Sequence, residues 1–557
     1  MNTLMLLLIW LLPLVLALFA RQRHARWLVI VAALPALVAA VVLPVGSQVS
    51  LPWLLLGVEL GLDDTGRVFL LFSGLLWLLA SLATVGSLAG GAHSTRFRFF
   101  FLLAMSGNLG LIVAQDMLSF YLGFTLMGLA AYGLIAHPAS LRARRAARRY
   151  LGWTISGELI LFVAIVMLAQ QHGGELSFSV LQSAPPAGLV VLLLIIGFGI
   201  KLALPGLHFW LPQSYAVAPT AAVMVLSGAM IKAGLLGWLR FLPPGDVALI
   251  DWGQLLMLIG SIGIVFGAIF GLIQQRPRLL LGYSSISKMG VLTTGMGAAL
   301  AWPAAAPAII SALVIFAAHH ALVKAALFLG LGLVERGGLR PWLWAGFGFL
   351  ALALAGAPYT SGALAKSMLS ASLPQAAHHL LLLLAISAFV TTLLMARFLF
   401  LLWRLRKRAT APYDVASTIA WLLLLEIIAV WPVMVTNLGQ LYTDMIPLSL
   451  AIIVAALTLS AARRWPGIIA VRNRFIPQRG LARQARHASR SLSNTIRLYV
   501  AALPAASSKL YEWCVQILLR WLRPLRRSGN GELDWPLAGG LMLSIGALLL
   551  AAFVAMA

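Results

Sequence analysis

Acidic residues and cysteine are scarce in this chain of 557 residues: Asp and Glu together number 15 against 40 Lys and Arg, and Cys514 stands alone. A single cysteine excludes an internal disulfide and leaves no thiolate set for an iron–sulfur cluster or a structural zinc site. The sequence holds no GxxxxGK[ST] phosphate loop, and glycine clusters such as GLGLVERGG lack the strand, turn and helix setting of a nucleotide site. No cofactor and no metal are therefore expected. Charge of either sign is also sparse, at 10% of residues, while 61% are hydrophobic and the mean hydropathy is +0.97. That balance excludes a soluble domain. The net charge of +25 does not point to nucleic acid, because the basic residues fall in short runs between apolar segments.

What the chain has in abundance is apolar segments of membrane-spanning length, roughly 20 residues each. They lie near 3–20, 27–44, 66–86, 99–115, 117–136, 150–170, 187–217, 220–241, 252–273, 279–297, 303–334, 342–372, 380–403, 414–436, 445–462 and 536–556. The first reads as a retained helix, since no charged region precedes it and no small-residue cleavage site follows. Loops at 21–26, 93–98, 139–149, 274–278, 335–340 and 404–408, and the region from Arg463 to Arg527, are basic. They are every second loop, as the positive-inside rule requires of cytoplasmic loops. The expectation is an all-α polytopic protein of the bacterial inner membrane, with about sixteen spans and both termini periplasmic. Residues 463–530 form the one long basic stretch before a final span at 536–556, and SSKLYEWCVQILLRWLRPLRR within it has helical amphipathic spacing. It suits a lateral helix along the cytoplasmic membrane surface.

Function is expected where ionisable residues interrupt these apolar runs. A charge in hydrocarbon costs a few kcal/mol even on the mildest scale, so an intramembrane lysine marks a functional site by default. The stretch GFGIKLALPGLHFWLPQSYAVAPTAAVMVLSGAMIKAGLLGWLRF carries Lys201 and Lys232 and is broken by Pro205, Pro212 and Pro219. Proline removes a backbone donor, and broken backbone at membrane depth survives only inside protein or along a polar cavity. A second break, GAPYTSGALAKSM, places Pro358 before Lys366. Glu158 lies inside its own apolar segment, and AAHHALVKAALFL sets His319, His320 and Lys324 together, with His320 and Lys324 four apart on one helix face. Lysine and histidine bind and release protons, so these residues suit a proton path. Two broken helices five spans apart are what an inverted repeat produces. The expected units are 99–241, with its broken helix at 187–217, and 252–403, with its broken helix at 342–372; residues 1–98 precede them and 414–462 follow.

At these residues the chain resembles a known family, the antiporter-like subunits of respiratory complex I, of membrane-bound hydrogenases and of Mrp-type cation/proton antiporters. The resemblance covers GIKLALPGLHFWLPQSYAVAPTAAVMVLSGAMIKAG and extends through GYSSISKMG (282–290), HHALVKAALFLGLG (319–332) and GAPYTSGALAKS (356–367). It implies that Lys201 is the lysine of a broken seventh helix, Lys232 that of the eighth, Lys324 a central-axis lysine and Lys366 the lysine of a broken twelfth helix. One position departs: where the family usually places a fifth-helix glutamate paired with the seventh-helix lysine, this chain has Thr125. Glu158 is the nearest intramembrane acid. The reading that follows is a non-catalytic, proton-translocating subunit of a multisubunit complex, with other membrane subunits and lipids as partners and H⁺, or alternatively Na⁺, as the ion. The alternative is a secondary transporter for a small ion or inorganic carbon, using the broken helices to hold its substrate.

Overall fold

The computed structural model describes residues 2–464, apart from 23, 55–56, 88–93, 183–185, 243, 246–247, 378, 406–410 and 436–445. The chain divides into two compact units, 1–453 and 454–557, and of the second only the end of the helix Ile446–Arg464 is described. Beyond that helix, the expected basic segment 463–530 and the final span 536–556 lie outside the described residues.

The first unit opens with α1 (Asn2–Leu18), α2 (Ala25–Val31) and α3 (Leu34–Val42), the last two splitting what reads in the sequence as one span. An antiparallel hairpin follows, β1 (Ser47–Leu51) and β2 (Val58–Leu62), with Ser47 opposite Leu62 and Leu51 opposite Val58. It corrects the all-α expectation. Gly46 and Gly57, at φ +86° and +97°, supply turns that only glycine enters freely. The long helices come next: α4 (Asp64–Ser87), α5 (Ser94–Val113), α6 (Met117–Ala136) and α7 (Leu141–Gln171). Asp116 caps α6 by accepting from Ser119 N at 2.7 Å, and Ser140 caps α7 by accepting from Ala143 N at 3.1 Å.

The broken region comprises α8 (Gly188–Leu202), α9 (Leu211–Val217), α10 (Thr220–Ser227) and α11 (Ala233–Phe241). Then come α12 (Ile250–Leu272), α13 (Pro277–Ala301), α14 (Ala306–Gly337), α15 (Pro341–Ala355), α16 (Ser361–Ser372), α17 (His379–Leu405), α18 (Val415–Val435) and α19 (Ile446–Arg464). Among the described residues nine helices are long and apolar enough to cross a membrane, counting α10 and α11 as one with the turn between them.

Close backbone approach, not side-chain bulk, sets the pairing of α12 with α13. A Cβ added at Gly260 would lie 2.6 Å from Gly290 O, and one at Gly290 would lie 2.6 Å from Gly260 O. Small residues at such crossings are what membrane helices use in place of a hydrophobic driving force. The two helix breaks close alike. At the end of α8, Leu204 N bonds Gly199 O at 3.0 Å with Ala203 left-handed; at the end of α15, Ala357 N bonds Leu352 O at 3.0 Å with Gly356 left-handed. Both are the six-to-one bond of a Schellman cap, which satisfies carbonyls that the break would orphan. Pro205 and Pro358 lie in the linkers beyond these caps, Pro212 opens α9, and Pro219 is the N-cap of α10.

Contacts between loops sort them by charge. Arg98 donates to Ala20 O at 3.1 Å, Arg96 to His137 O at 3.5 Å, and Arg149 to Gln213. Arg278 donates to Ala218 O at 2.8 Å and to Glu335 at 2.6 Å, and Ala411 N donates to Arg336 O at 3.0 Å. These bonds draw the described basic loops together. A separate set joins the acidic connections: Glu59 N donates to Asp116 Oδ2 at 2.9 Å, and Arg240 reaches Asp63 at 2.7 Å. The alternation read from the sequence is thus repeated in contacts that the sequence pattern does not contain.

Candidate functional site

The polar residues inside the apolar frame form two groups. The first lies where α6, α7 and α8 meet. Lys201 sits in the last turn of α8, where the helix dipole favours a cation. Its Nζ donates to Tyr150 Oη of α7 at 3.2 Å and stands 5.5 Å from the centre of the Phe124 ring of α6. Glu158, two turns along α7 from Tyr150, is buried, and its Oε1 has no hydrogen-bond partner. It lies close enough to Lys201 for the two charges to interact. The direct carboxylate–ammonium bond suggested by the missing fifth-helix acid is not the bond Lys201 makes. The carboxylate nevertheless reaches α6: a Cβ at Gly128, one turn beyond Thr125, would lie 2.3 Å from Glu158 Oε1. Thr125 Oγ1 is itself buried without a partner.

The second group centres on α14. Lys232 ends a 3-10 turn, Met230–Lys232, which interrupts the continuous helix expected over 220–241. The interruption frees Ser227 O, and Lys232 Nζ fills the vacancy by donating to it at 2.5 Å. No proline marks this break. On α14, His319 Nδ1 pairs with Ser361 Oγ of α16 at 2.9 Å, and Lys324 Nζ donates to Leu281 O of α13 at 2.9 Å. His320 is fully buried, and neither ring nitrogen has a partner. His320 and Lys324 share a face as expected, yet they bond elsewhere or not at all.

Lys288 on α13 belongs to this group and was not singled out from the sequence. It is buried, donates to Ser387 Oγ of α17 at 3.5 Å, and stands 5.8 Å from the Phe316 ring centre. Its sequence signal is a lysine in the middle of an apolar segment, within the motif GYSSISKMG. Lys288, His319, Lys366 and Ser387 line one small cavity of about 20 Å³, room for a water. Lys366 enters from α16, and its Cδ lies 3.7 Å from where a Cβ on Gly356 would stand, so its side chain runs back over the break.

Charge interaction links the second group throughout: Lys232 with Lys324 and His320, Lys324 with Lys288, and Lys288 with His319 and Lys366. The helices that carry the two groups meet where α8 packs on α11; a Cβ at Gly234 would lie 2.8 Å from Phe198 O. No metal-ligand cluster of His, Cys, Asp and Glu occurs among the described residues. A larger cavity of about 590 Å³ opens on the basic-loop side, lined by Ala218, Pro219, Thr220, Arg278 and Glu335. There Arg278 ties the link before α10 to the C-terminal turns of α14 through Ala218 O and Glu335.

The chain is similar to known proteins. Subunit M of the NADH-quinone oxidoreductase of Escherichia coli is 29% identical over 356 residues, 58% of this chain and 68% of the relative. Hydrogenase-4 component B of the same organism is 27% identical over 289 residues, 49% of this chain and 43% of the relative. The chain spans 42% to 68% of the length of such curated relatives. Among solved structures, the Mrp complex from Dietzia sp. DQ12-45-1b superposes with a TM-score of 0.72 at 23% identity, covering 95% of this chain and 63% of that one, a likeness of fold. Residues 114–395, which hold both helix breaks and every buried lysine named above, match the family described as NADH:quinone oxidoreductase/Mrp antiporter, TM. The chain belongs to that family.

Proposed function

We propose that this chain is a proton-translocating, antiporter-like subunit of a multisubunit membrane complex in the bacterial inner membrane, without catalytic chemistry of its own. The observation that carries the reading is the buried series Glu158, Lys201, Lys232, His319, His320, Lys324 and Lys288, with the half-buried Lys366 at its end. Each base takes up and releases a proton, and a change of charge at one biases its neighbour through the low-dielectric interior. Sodium is disfavoured: it wants oxygen ligands, and apart from Glu158 this series presents nitrogen bases, whose ammonium forms repel a cation. The chain supplies no redox or nucleotide motif, so the driving reaction belongs to partner subunits. Sixteen spans, with both termini periplasmic and the basic loops cytoplasmic, fit the charge-sorted loop contacts.

The inverted repeat, with units 99–241 and 252–403, is supported by the matching Schellman closures of α8 and α15. Lys201 precedes its break and Lys366 follows its own, so the two halves use opposite sides of their breaks. Protons enter from the basic-loop side through the cavity beside Arg278 and leave past Lys366. The test is reconstitution. The intact assembly, given its driving reaction in liposomes, should acidify one compartment, whereas the isolated chain should pump nothing in response to a solute gradient. Robust solute-coupled transport by the isolated chain would replace this reading with that of a secondary transporter.

A further inference from the structure

Helix α7 presents Tyr150, Thr154 and Glu158 at intervals of four, so their side chains stack on one face, each about 6 Å above the last. All three are buried. Thr154 and Glu158 press on the same spot of α6: a Cβ at Gly128 would lie 2.8 Å from Thr154 Cγ2 and 2.3 Å from Glu158 Oε1. Tyr150, at the near end of the ladder, holds the Lys201 ammonium at 3.2 Å, and its ring centre lies 5.7 Å from Nζ. At the far end, Glu158 Oε1 is buried with no donor. A buried cation on a neutral phenol beside an unpartnered buried carboxylate is an arrangement in which the stronger partner stands vacant.

The geometry points to a lysine with two stations, in which the Tyr150 hydroxyl holds Lys201 away from Glu158 and the ammonium swings between phenol and carboxylate along the α7 ladder. Tyr150 is a positioning residue. It accepts a hydrogen bond from the ammonium and does not relay the transported proton. With the phenol present, the ion pair with Glu158 is one of two states; without it, the ammonium rests on the carboxylate and the step that must release it is slowed. A lysine side chain is a flexible four-carbon stem, so its ammonium can change partner by rotation of its own bonds. The inference rests on the proton-path reading of Lys201.

The test uses the assembled complex with Tyr150→Phe, Glu158→Gln, the double variant, and Lys201→Ala. Phenylalanine keeps the ring and removes only the acceptor. Tyr150→Phe should leave assembly intact and slow proton-linked activity by about tenfold, the loss expected when a hydrogen bond to a charged group is deleted. In the Glu158→Gln background the same substitution should add no further loss, because the competing station is gone. A structure of the Tyr150→Phe complex should place Lys201 Nζ in hydrogen-bond contact with Glu158. Wild-type activity in Tyr150→Phe, or equal fold losses in both backgrounds, overturns the two-station account. Full activity in Lys201→Ala removes the proton-path reading instead, so the two failures are distinct.

Discussion

Glu158 occupies the space that Gly128 leaves open on α6; a Cβ at that glycine would lie 2.3 Å from Glu158 Oε1. An acid on α7 thereby reaches the helix on which Thr125 stands, one turn from Gly128. Gly128→Ala should therefore displace the carboxylate. The substitution should cost about 1–3 kcal/mol of stability from overpacking and lower proton-linked activity, while leaving Lys201 on Tyr150. Thermal unfolding and activity of the variant complex check it; wild-type behaviour in both would show that the carboxylate's place is unimportant.

Thr125 cannot carry a charge, so under the proposed proton path the role of Lys201's acid falls to Glu158. Glu158→Gln should impair proton-linked activity nearly as much as loss of Lys201 itself. Thr125→Glu on that background should restore part of it, because a carboxylate there enters from the neighbouring turn of α6. Restoration by Thr125→Gln to the same extent would show that bulk, not charge, was missing.

Lys288→Met keeps the length of the side chain and removes the ammonium from the cavity shared with His319, Lys366 and Ser387. Activity should fall on the order of 10²-fold, the low end of what a positioned acid–base group contributes, with assembly unchanged. Ser387→Ala, which removes the hydroxyl Lys288 donates to at 3.5 Å, should have a smaller effect of the same kind. A Lys288→Met complex that turns over normally would exclude this lysine from the path.

Asp63 and Arg240 connect the start of α4 to the end of α11 with bonds of 2.7 and 2.8 Å. Burial pushes the Asp63 carboxyl up, but the Arg240 guanidinium and the Gly66 N–H outweigh it, so its pKa lies below the ordinary carboxylate value of 3.8. A depressed carboxylate stabilises the fold above the ordinary value and loses that contribution as pH falls through the lower one. The pair should therefore contribute fully at neutral pH and fade only below about pH 4. The Asp63 side chain is 41% exposed, so the contribution is at most about 1 kcal/mol. Asp63→Asn should lower the melting temperature at pH 7, and the gap from wild type should close in acid; a gap that is constant with pH would assign the loss to something other than charge.

How far the sequence disclosed this molecule depends on what kind of signal each feature leaves. Long apolar runs and prolines leave strong ones: α6 is read at 117–136, and Pro205 and Pro358 mark both breaks closely. The break before Lys232 leaves a weak one, because Gly228 and the freed Ser227 carbonyl interrupt the helix without a proline. The hairpin at 47–62 is too short to register beside spans of membrane length. Lys288 is legible by the same rule as Lys201, a lysine in the middle of an apolar segment. Tyr150 and Thr154 also stand at readable spacing from Glu158, but an uncharged residue in an apolar helix raises no alarm until its neighbour across the groove is known. Which carbonyl or hydroxyl each lysine reaches is decided by tertiary packing, and no local pattern encodes it.

If buried bases carry protons through this chain, Lys201 is the residue whose loss shows it. Proton-linked activity of the assembled complex should be abolished in Lys201→Ala with assembly intact, and lost also in Lys201→Arg, which keeps the charge but does not release a proton near neutral pH. Full activity in both variants would contradict it.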